Sequence, residues 1–287
     1  MARPLDTGLS DALFRLMAAA STRIAVDLPS GVGTDDGALL GARHPCEMTV
    51  ALGALKPAHL LYPAAALCGR LIIADIGIPV AADCGVIGRA HLTAPDFADH
   101  KYTRGFAMIV GGSMPGAALL SARAAQATGA GYVVLAGEDD RQHDPASIIQ
   151  RKATGADLEQ FLEDDRINAL VIGPGLGRDR DASIRLDAAL ARKLPTVIDA
   201  DALVLLGSSA VPLRQRLKGF AAILTPHEGE FARLFGELPG SRIDRARVAA
   251  RKSGAVVVLK GPDTVVAAPD GRAGIAGSPH FWLSTAG

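Results

Sequence analysis

The stretch ALVIGPGLGRDRDASIRLDAALARKLPTVID, residues 169–199, contains the alternation that decides the fold. A short apolar run at 169–172 leads into a glycine-rich turn, a segment of helical period follows over 181–192, and a second apolar run covers 196–199. A strand, a helix and a strand in this order predict a βαβ unit whose strands are parallel. Because the same alternation recurs along the chain, we expect an α/β fold with a mostly parallel sheet flanked by helices.

The same reading places the other elements of the chain. Strands are expected at residues 23–28, 48–52, 70–76, 107–111, 131–136, 169–172, 196–199, 222–225, 255–260 and 264–268. Helices are expected at residues 116–128, 181–192, 229–235 and 242–253.

The composition indicates a globular protein. The 287 residues are 49% hydrophobic, which is enough to bury a sizeable core. Lysine plus arginine and aspartate plus glutamate each number 30, so the overall charge favours neither nucleic acid nor an anionic membrane as a partner. The apolar runs end before the ~20 residues that a membrane helix requires.

Two further features suggest the compartment. The three cysteines have spacings that match neither a zinc site nor a disulfide framework, which favours a reducing environment. The first residues, MARPLD, lack the plan of a signal peptide. We therefore expect a soluble cytoplasmic protein.

A domain boundary is expected between Asp75 and Asp99, where turn residues interrupt the alternation. The part before it contains few helices and too few strands to close a doubly wound sheet. We therefore expect residues 1–85 to be the end of a Rossmann-like α/β domain and residues 86–287 to form a second, larger domain.

The first candidate ligand-binding segment is VDLPSG, residues 26–31. It places the carboxylate of Asp27 and the hydroxyl of Ser30 after a predicted strand, and the carboxyl ends of parallel strands face the crevice in which open α/β sheets bind ligands. The same residues are equally compatible with a tight turn. From the residues alone, both interpretations stay open.

Two glycine-rich turns in the larger part follow predicted strands: GGSMPGAA at 111–118 and GPGLG at 173–177. Bare backbone allows a ligand to approach closely, and a helix N-terminus offers N–H groups to an anion. Neither turn has the G-x-G-x-x-G pattern, which disfavours a hydride-transferring Rossmann enzyme. Each could also be a simple turn.

Charged and polar residues follow three more predicted strands, in IDADAL at 198–203, TPHEGE at 225–230 and LKGPDT at 259–264. Side chains at the ends of adjacent strands converge in space, and a lysine followed by glycine and threonine can hold phosphates. The acids could instead cap helices, and Lys-Gly is common at hairpins. In combination, these segments predict an adenine nucleotide site without a Walker loop.

Three N-terminal segments resemble the closing part of the NAD(P)H-hydrate epimerases. They are VDLPSG at 26–31, VALGALKP at 50–57 and the strand between CGR at 68–70 and DIGI at 75–78. The resemblance implies that Asp27 contacts the substrate and that Ser30 binds K⁺. The family's opening strand and its glycine- and asparagine-rich loop, which hold the rest of that site, are absent from this sequence, so epimerase activity is not expected of this portion.

From about His100 to Gly287 the chain resembles the ADP-dependent NAD(P)H-hydrate dehydratases of the ribokinase-like superfamily. The motifs that carry this likeness, in the order of the family, are GGS, PGA, GPGLG, DADA, TPHxGE and KGxxT. Together with the N-terminal segments, they resemble the bifunctional NAD(P)H-hydrate repair enzymes. A ribokinase-like sheet is the implied fold.

The resemblance also implies ligands for individual residues. Ala117, Gly175 and His227 would contact the hydrated nicotinamide nucleotide. The site for ADP or ATP would comprise Lys260, Gly261, Pro262, Asp263, Thr264 and Gly287. The catalytic aspartate of the family follows a Thr-Gly pair and is expected just beyond Gly287, so no catalytic residue is assigned within the chain.

The implied reaction is the ADP- or ATP-driven loss of water from hydrated NADH or NADPH. Mg²⁺ held mainly by phosphates, near Asp201 or Glu230, and a homo-oligomer are also expected. A ribokinase-like small-molecule kinase is the alternative, because it would share Lys260 and the glycine loops, although it would lack TPHEGE and the epimerase-like segments. A nucleotide-binding module without catalysis is the third hypothesis.

Overall fold

The strands of the protein form two sheets, a small parallel one and a large, mostly parallel one. The computed structural model describes residues 3–41, 44–138, 145–207 and 212–277. A small parallel sheet contains β1 (Ile24–Val26), β2 (Met48–Leu52) and β3 (Arg70–Ala74), in that spatial order. It is preceded by α1 (Thr7–Ala19), whose first turn is capped by the side chain of Asp6.

The second sheet has ten strands. They are β4 (Cys84–Ile87), β5 (Phe106–Val110), β6 (Tyr132–Gly137), β7 (Ile148–Lys152), β8 (Ile167–Ile172), β9 (Thr196–Ile198), β10 (Ala222–Leu224), β11 (Val256–Leu259), β12 (Val265–Ala267) and β13 (Ala273–Ala276). Their spatial order is β4-β13-β12-β11-β10-β9-β8-β5-β6-β7. Neighbours from β7 to β11 are parallel, whereas β12 is antiparallel to both β11 and β13.

Several of the helices that follow the strands of the large sheet begin at a capping side chain. The helices of this region are α2 (Pro115–Ala127), α3 (Gly155–Leu162), α4 (Arg180–Ala191), α5 (Ala200–Gly207), α6 (Leu213–Arg216), α7 (Glu228–Phe235) and α8 (Arg242–Ser253). Asp179 caps α4, and Ser241 and Asp244 form a capping box at α8. Gly254 ends α8 in the left-handed conformation that glycine adopts without strain.

The main core lies on one face of the large sheet. Alternate side chains of the parallel strands, including Leu170, Ile198 and Leu224, are fully buried there. Residues of α3, α4, α5, α7 and α8 belong to the same cluster. A smaller cluster joins α2 to β5, β6 and β7 on the other face. The sheet is therefore covered by most of its helices on one side and by α2 on the other.

Beside α2, the second face of the sheet forms a groove of about 720 Å³. Its floor includes Ala169, Val171, Val197 and Ile223, which alternate with the core residues of β8, β9 and β10. These strands are thus apolar on both faces, as in parallel sheets generally.

The segment after the small sheet's second strand packs into the core of the large sheet. Leu60 and Leu61 belong to the main core cluster, and the backbone N–H of Tyr62 donates to Oδ2 of Asp263 at 2.9 Å. The expected division at residues 85 and 86 falls inside β4, which pairs with β13 of the large sheet. The two-domain division stays a proposal, in which the small sheet is the first unit.

The expected fold class is confirmed, and every strand and helix expected above has a counterpart. Three strands were missed: β4, β7 and β13. β7 reads IIQRK and β13 reads AGIA, so one turns polar halfway and the other contains glycine and alanine, which are poor strand formers. Among the described residues, no helix combines the length and apolarity needed to cross a membrane.

We expect Leu61→Ala to destabilise the protein by about 2–5 kcal/mol, because it removes a fully buried side chain from the main core. The measurement is the free energy of unfolding in denaturant. Leu16→Ala is the matched control, since Leu16 is 71% exposed on α1 and its loss should cost little. Equal stability of the two variants would show that Leu61 does not belong to the core.

Candidate active site

The candidate site lies where five adjacent parallel strands end: β5, β8, β9, β10 and β11. The segments after them are the glycine turns and the charged segments singled out in the sequence. Because these strands are neighbours and parallel, their carboxyl ends share one edge of the sheet. The expected convergence of these segments is therefore observed.

The two glycine turns pack directly on each other. A side chain at Gly112 would place its Cβ 2.0 Å from the carbonyl oxygen of Leu176, and one at Gly175 would lie 2.1 Å from that of Met114. The N–H of Met114 also donates to the carbonyl of Gly175 at 3.0 Å. The glycines are thus required by the contact between the turns, whatever ligand the turns bind.

The side chain of Asp201 holds the second glycine turn in place. Its carboxylate is 5% exposed, accepts the N–H of Gly177 at 3.0 Å and pairs with Nε of Arg178 at 2.6 Å. Both oxygens therefore have partners within the protein. Asp201 holds the turn in place and is not a free metal ligand in this state.

Asp199, two residues earlier, points to another loop. Its Oδ1 lies 2.7 Å from Nζ of Lys260. The chain turns sharply after it, because Ala200 has a φ of 47°, a left-handed conformation that costs a non-glycine residue about 1–3 kcal/mol. Gly173 permits this turn, since a Cβ there would lie 1.8 Å from the carbonyl oxygen of Asp199.

His227 caps α7. Its Nδ1 accepts from the N–H groups of Gly229 at 3.0 Å and Glu230 at 3.4 Å, while Glu230 Oε2 accepts the N–H of His227 at 2.9 Å. Because Nδ1 acts as an acceptor, the neutral ring carries its proton on Nε2. The side chain is 61% exposed, and its Nε2 lies 3.6 Å from Oε1 of Glu230.

The loop after β11 is a tight turn closed by Thr264, whose Oγ1 accepts the N–H of Gly261 and donates to its carbonyl oxygen. Gly261 and Pro262 are exposed, whereas Asp263 is 2% exposed and pairs with Arg242 at 3.2 Å. The carboxylate of Asp263 is thus committed to the interior, and the loop presents its backbone and Lys260 at the edge.

Of the other residues expected at the dehydratase site, Ala117 lies half-buried in the first turn of α2 and Gly175 is buried against the segment that precedes α2. Ala117, Gly175, His227 and Lys260 are thus all placed at the carboxyl edge of the large sheet. Gly287 lies outside the described residues.

Asp27 and Ser30 follow β1, the first strand of the small sheet. Asp27 adopts a φ of 67°, and its Oδ1 accepts from Nζ of Lys56 at 2.5 Å and from the N–H of Leu52 at 3.1 Å. Partial burial raises the pKa of Asp27, but the hydrogen bonds from Lys56 and Leu52 outweigh it and the net pKa is lowered. Ser30 is exposed and borders a crevice beside α1.

His59 supports Asp27 from beneath the small sheet. It is 2% exposed, its Nε2 lies 2.6 Å from the carbonyl oxygen of Asp27, and its Nδ1 accepts the N–H of Lys56 at 2.8 Å. Burial lowers the pKa of His59, so the ring stays neutral at pH 7. This role could not be predicted from the sequence, because a lone histidine in the segment KPAH has no motif around it.

Sequence reasoning also missed two arginines that organise the large-sheet site. Arg178 pairs with Asp201, and Arg242 contacts Glu228, Asp263 and the carbonyl oxygens of Leu259 and Lys260. Arg178 directly follows the GPGLG turn, which is a usable signal. Arg242 is the first residue of α8 and is distant in sequence from Lys260. Only the folded structure therefore shows that it lies at the site.

Within the described ranges, no three or more His, Cys, Asp or Glu side chains gather to hold a metal ion. The carboxylates at the edge are already engaged, with Lys260, Arg178 or backbone N–H groups. This donor set fits a Mg²⁺ ion that is bound chiefly by nucleotide phosphates, the usual arrangement for a small, strongly hydrated cation, and does not fit a protein cage.

Residues 107–287, more than half of the chain, match the family described as NAD(P)H-hydrate dehydratase. The bifunctional NAD(P)H-hydrate repair enzyme Nnr of Mycobacterium tuberculosis is 36% identical over 296 residues, which cover 99% of this chain and 59% of the relative. That of Mycobacterium leprae is 37% identical, over 92% of this chain and 55% of the relative. The chain thus spans less than two thirds of the length of these relatives.

Several solved structures share the fold. The ADP/ATP-dependent NAD(P)H-hydrate dehydratase of Bacillus subtilis, co-crystallised with ATP/Mg²⁺, has a TM-score of 0.57 and 30% identity over 68% of this chain and 72% of its own. A ribokinase-like superfamily protein of Enterococcus faecalis has a TM-score of 0.58 and 22% identity over 69% and 73%, a likeness of fold alone. On the match over residues 107–287, the chain belongs to the NAD(P)H-hydrate dehydratase family.

Proposed function

We propose that this chain provides the ADP- or ATP-dependent dehydratase activity that restores NADH or NADPH from the hydrated nucleotide. The observation that carries the proposal is the placement of Lys260, His227 and the glycine turns on one edge of the large sheet, in a chain of this family. The Bacillus subtilis relative was crystallised with ATP/Mg²⁺, which supports the nucleotide and the metal.

In this proposal the nucleotide phosphates lie against the loop after β11. Lys260 supplies a positive charge, and the exposed backbone of Gly261 and Pro262 allows close approach. Transfer of the terminal phosphoryl group to the ring hydroxyl would convert the hydroxyl oxygen into a phosphate leaving group. Its departure with the C–O bonding electrons, and loss of a proton from the neighbouring ring carbon, would restore the ring double bond.

His227 is proposed to bind the hydrated nicotinamide nucleotide. With Nδ1 fixed by the first N–H groups of α7, Nε2–H is a defined donor at the edge of the sheet. Glu230 Oε1, 3.6 Å from Nε2, limits rotation of the ring. Ala117 and Gly175 would contribute close backbone contacts to the same ligand. Nearby Asp199 and Glu230 would face the Mg²⁺ that the phosphates hold, where the ion would neutralise their charge.

Two further assignments rest on family likeness. Asp27 is proposed to contact the substrate of an epimerase-like site, and Ser30 to bind K⁺ there. The lowered pKa of Asp27 keeps it ionised, so it would offer the substrate a negatively charged hydrogen-bond acceptor. A homo-oligomer and a cytoplasmic location complete the proposal.

A small-molecule kinase is the competing function, because the fold and Lys260 suit it equally. The named dehydratase relatives favour the repair reaction. A kinase would release a phosphorylated product, whereas the dehydratase would release inorganic phosphate and reduced cofactor.

The central test is recovery of the reduced-nicotinamide absorbance from hydrated NADPH with Mg²⁺ and ADP or ATP. It uses the 287-residue chain and the same chain continued by the family's Thr-Gly-Asp segment. We expect the continued chain to restore the absorbance, because it supplies the base that the resemblance implies. Nucleotide binding without recovery in either protein would contradict the dehydratase, and a phosphorylated product would support the kinase.

Exchange of His227 separates its two roles. We expect His227→Asn to retain the cap of α7, because asparagine is a good N-cap residue, yet to raise the KM for hydrated NADPH by roughly tenfold through loss of the Nε2 donor. His227→Ala should show the same raised KM as His227→Asn. In addition, its free energy of unfolding should be lower by about 1 kcal/mol, because the cap of α7 is lost. The measurements are steady-state kinetics in the continued chain and denaturant unfolding. An unchanged KM in His227→Asn would remove His227 from the binding site.

A further inference from the structure

Three charged side chains, one cationic and two anionic, lie at the polar end of the groove, and their charges do not sum to zero. Nζ of Lys260 lies 2.7 Å from Oδ1 of Asp199 and 4.0 Å from Oε2 of Glu230. Asp199, Thr225 and Lys260 line the groove itself, while Glu230 is largely buried behind them. One ammonium therefore faces two carboxylates, and the trio has a net negative charge.

Neighbouring cations do not correct this imbalance, because each is engaged elsewhere. Arg178 pairs with Asp201, and Arg245 with Glu228. Arg242 is shared between Glu228 and Asp263. Each of these three arginines therefore already pairs with at least one carboxylate in the described part of the chain. Lys260 is thus the cation that an incoming phosphate would meet, and it is already neutralised.

The position of Asp199 is built into the backbone. Its N–H donates to the carbonyl of Ile172 at 3.0 Å, and its own carbonyl oxygen fills the space left by Gly173. The next residue, Ala200, has a left-handed φ of 47°. A strained turn of this kind persists only where the surrounding structure holds it, and such turns cluster at functional sites. The approach of Asp199 to Lys260 is therefore a fixed feature of this edge.

We infer that Asp199 is a positioning residue that makes this edge select the Mg²⁺ complex of ADP or ATP over the metal-free nucleotide. A free polyphosphate would meet the excess negative charge of the trio, and competition with Asp199 for Lys260. A phosphate-bound Mg²⁺ brings positive charge to the carboxylates and removes both obstacles. The inference rests on the proposed nucleotide site and adds to it a specificity that no residue had been assigned.

The test is calorimetric titration of the full chain with ADP and ATP, in excess Mg²⁺ and in EDTA. We expect the wild type to bind the Mg²⁺ complex at least about tenfold more tightly than the free nucleotide. Asp199→Asn should bind the free nucleotide roughly tenfold more tightly than the wild type, so that the preference for Mg²⁺ narrows. Asp187→Asn is the matched control, because Asp187 pairs with Arg216 between α4 and α6, outside the site.

A second variant protects the test against misfolding. Glu230→Gln keeps a side-chain oxygen to accept the N–H of His227, and should shift binding in the same direction by a smaller factor, since Glu230 is farther from Lys260. Lys260→Met should weaken both forms of the nucleotide. Thermal unfolding of every variant shows whether the fold is retained.

The outcomes separate the two proposals. Unchanged or weaker binding of free nucleotide by folded Asp199→Asn and Glu230→Gln, with the wild type binding the Mg²⁺ complex, overturns the role of Asp199 alone. No binding of either nucleotide form by the wild type overturns the proposed nucleotide site as well. A metal preference that narrows in both variants and persists in Asp187→Asn supports the inference.

Discussion

The buried carboxylate of Asp201 is the interaction on which the candidate site depends. It accepts the N–H of Gly177 and pairs with Arg178, and so fixes the turn that follows β8. That turn packs without clearance on the segment before α2, which places Ala117. A buried carboxylate is costly unless all its hydrogen bonds are satisfied, so this arrangement is stable only with both partners in place.

The elements that could be predicted from the sequence are those in which the spacing of apolar residues clearly matches either a strand or a helix. β8, α4 and β9 follow a clear alternation of apolar runs and helical segments, and the structure contains them nearly as expected. β7 and β13 depend on neighbours for their pairing, because their own residues are polar or small. The sequence also could not show that Leu61, in the segment between β2 and β3, enters the main core, since such a contact depends on tertiary packing.

The site was predictable in its location and less so in its detail. The rule that strand ends converge placed His227 and Lys260 together, and it needs no knowledge of side-chain direction. The direction decides the chemistry. Asp263 reads as part of a phosphate loop but points inward to Arg242, and Asp201 reads as a metal neighbour but anchors a turn. Such roles depend on which face of a loop is buried, and that is fixed by contacts distant in sequence.

The segment between β2 and β3 of the small sheet shares a hydrophobic core with the large sheet, and this decides the result of cleaving the chain between the two sheets. Leu60 and Leu61 reach from the small sheet into the hydrophobic cluster of the large one, and Tyr62 is tied to Asp263 in the loop that carries Lys260. A cut between residues 75 and 83, after the last strand of the small sheet, would therefore leave that sheet attached as a non-covalent subunit. Release of that subunit would expose apolar core residues of the large sheet to water. The two pieces should therefore behave as an obligate heterodimer, in which dissociation leads directly to aggregation.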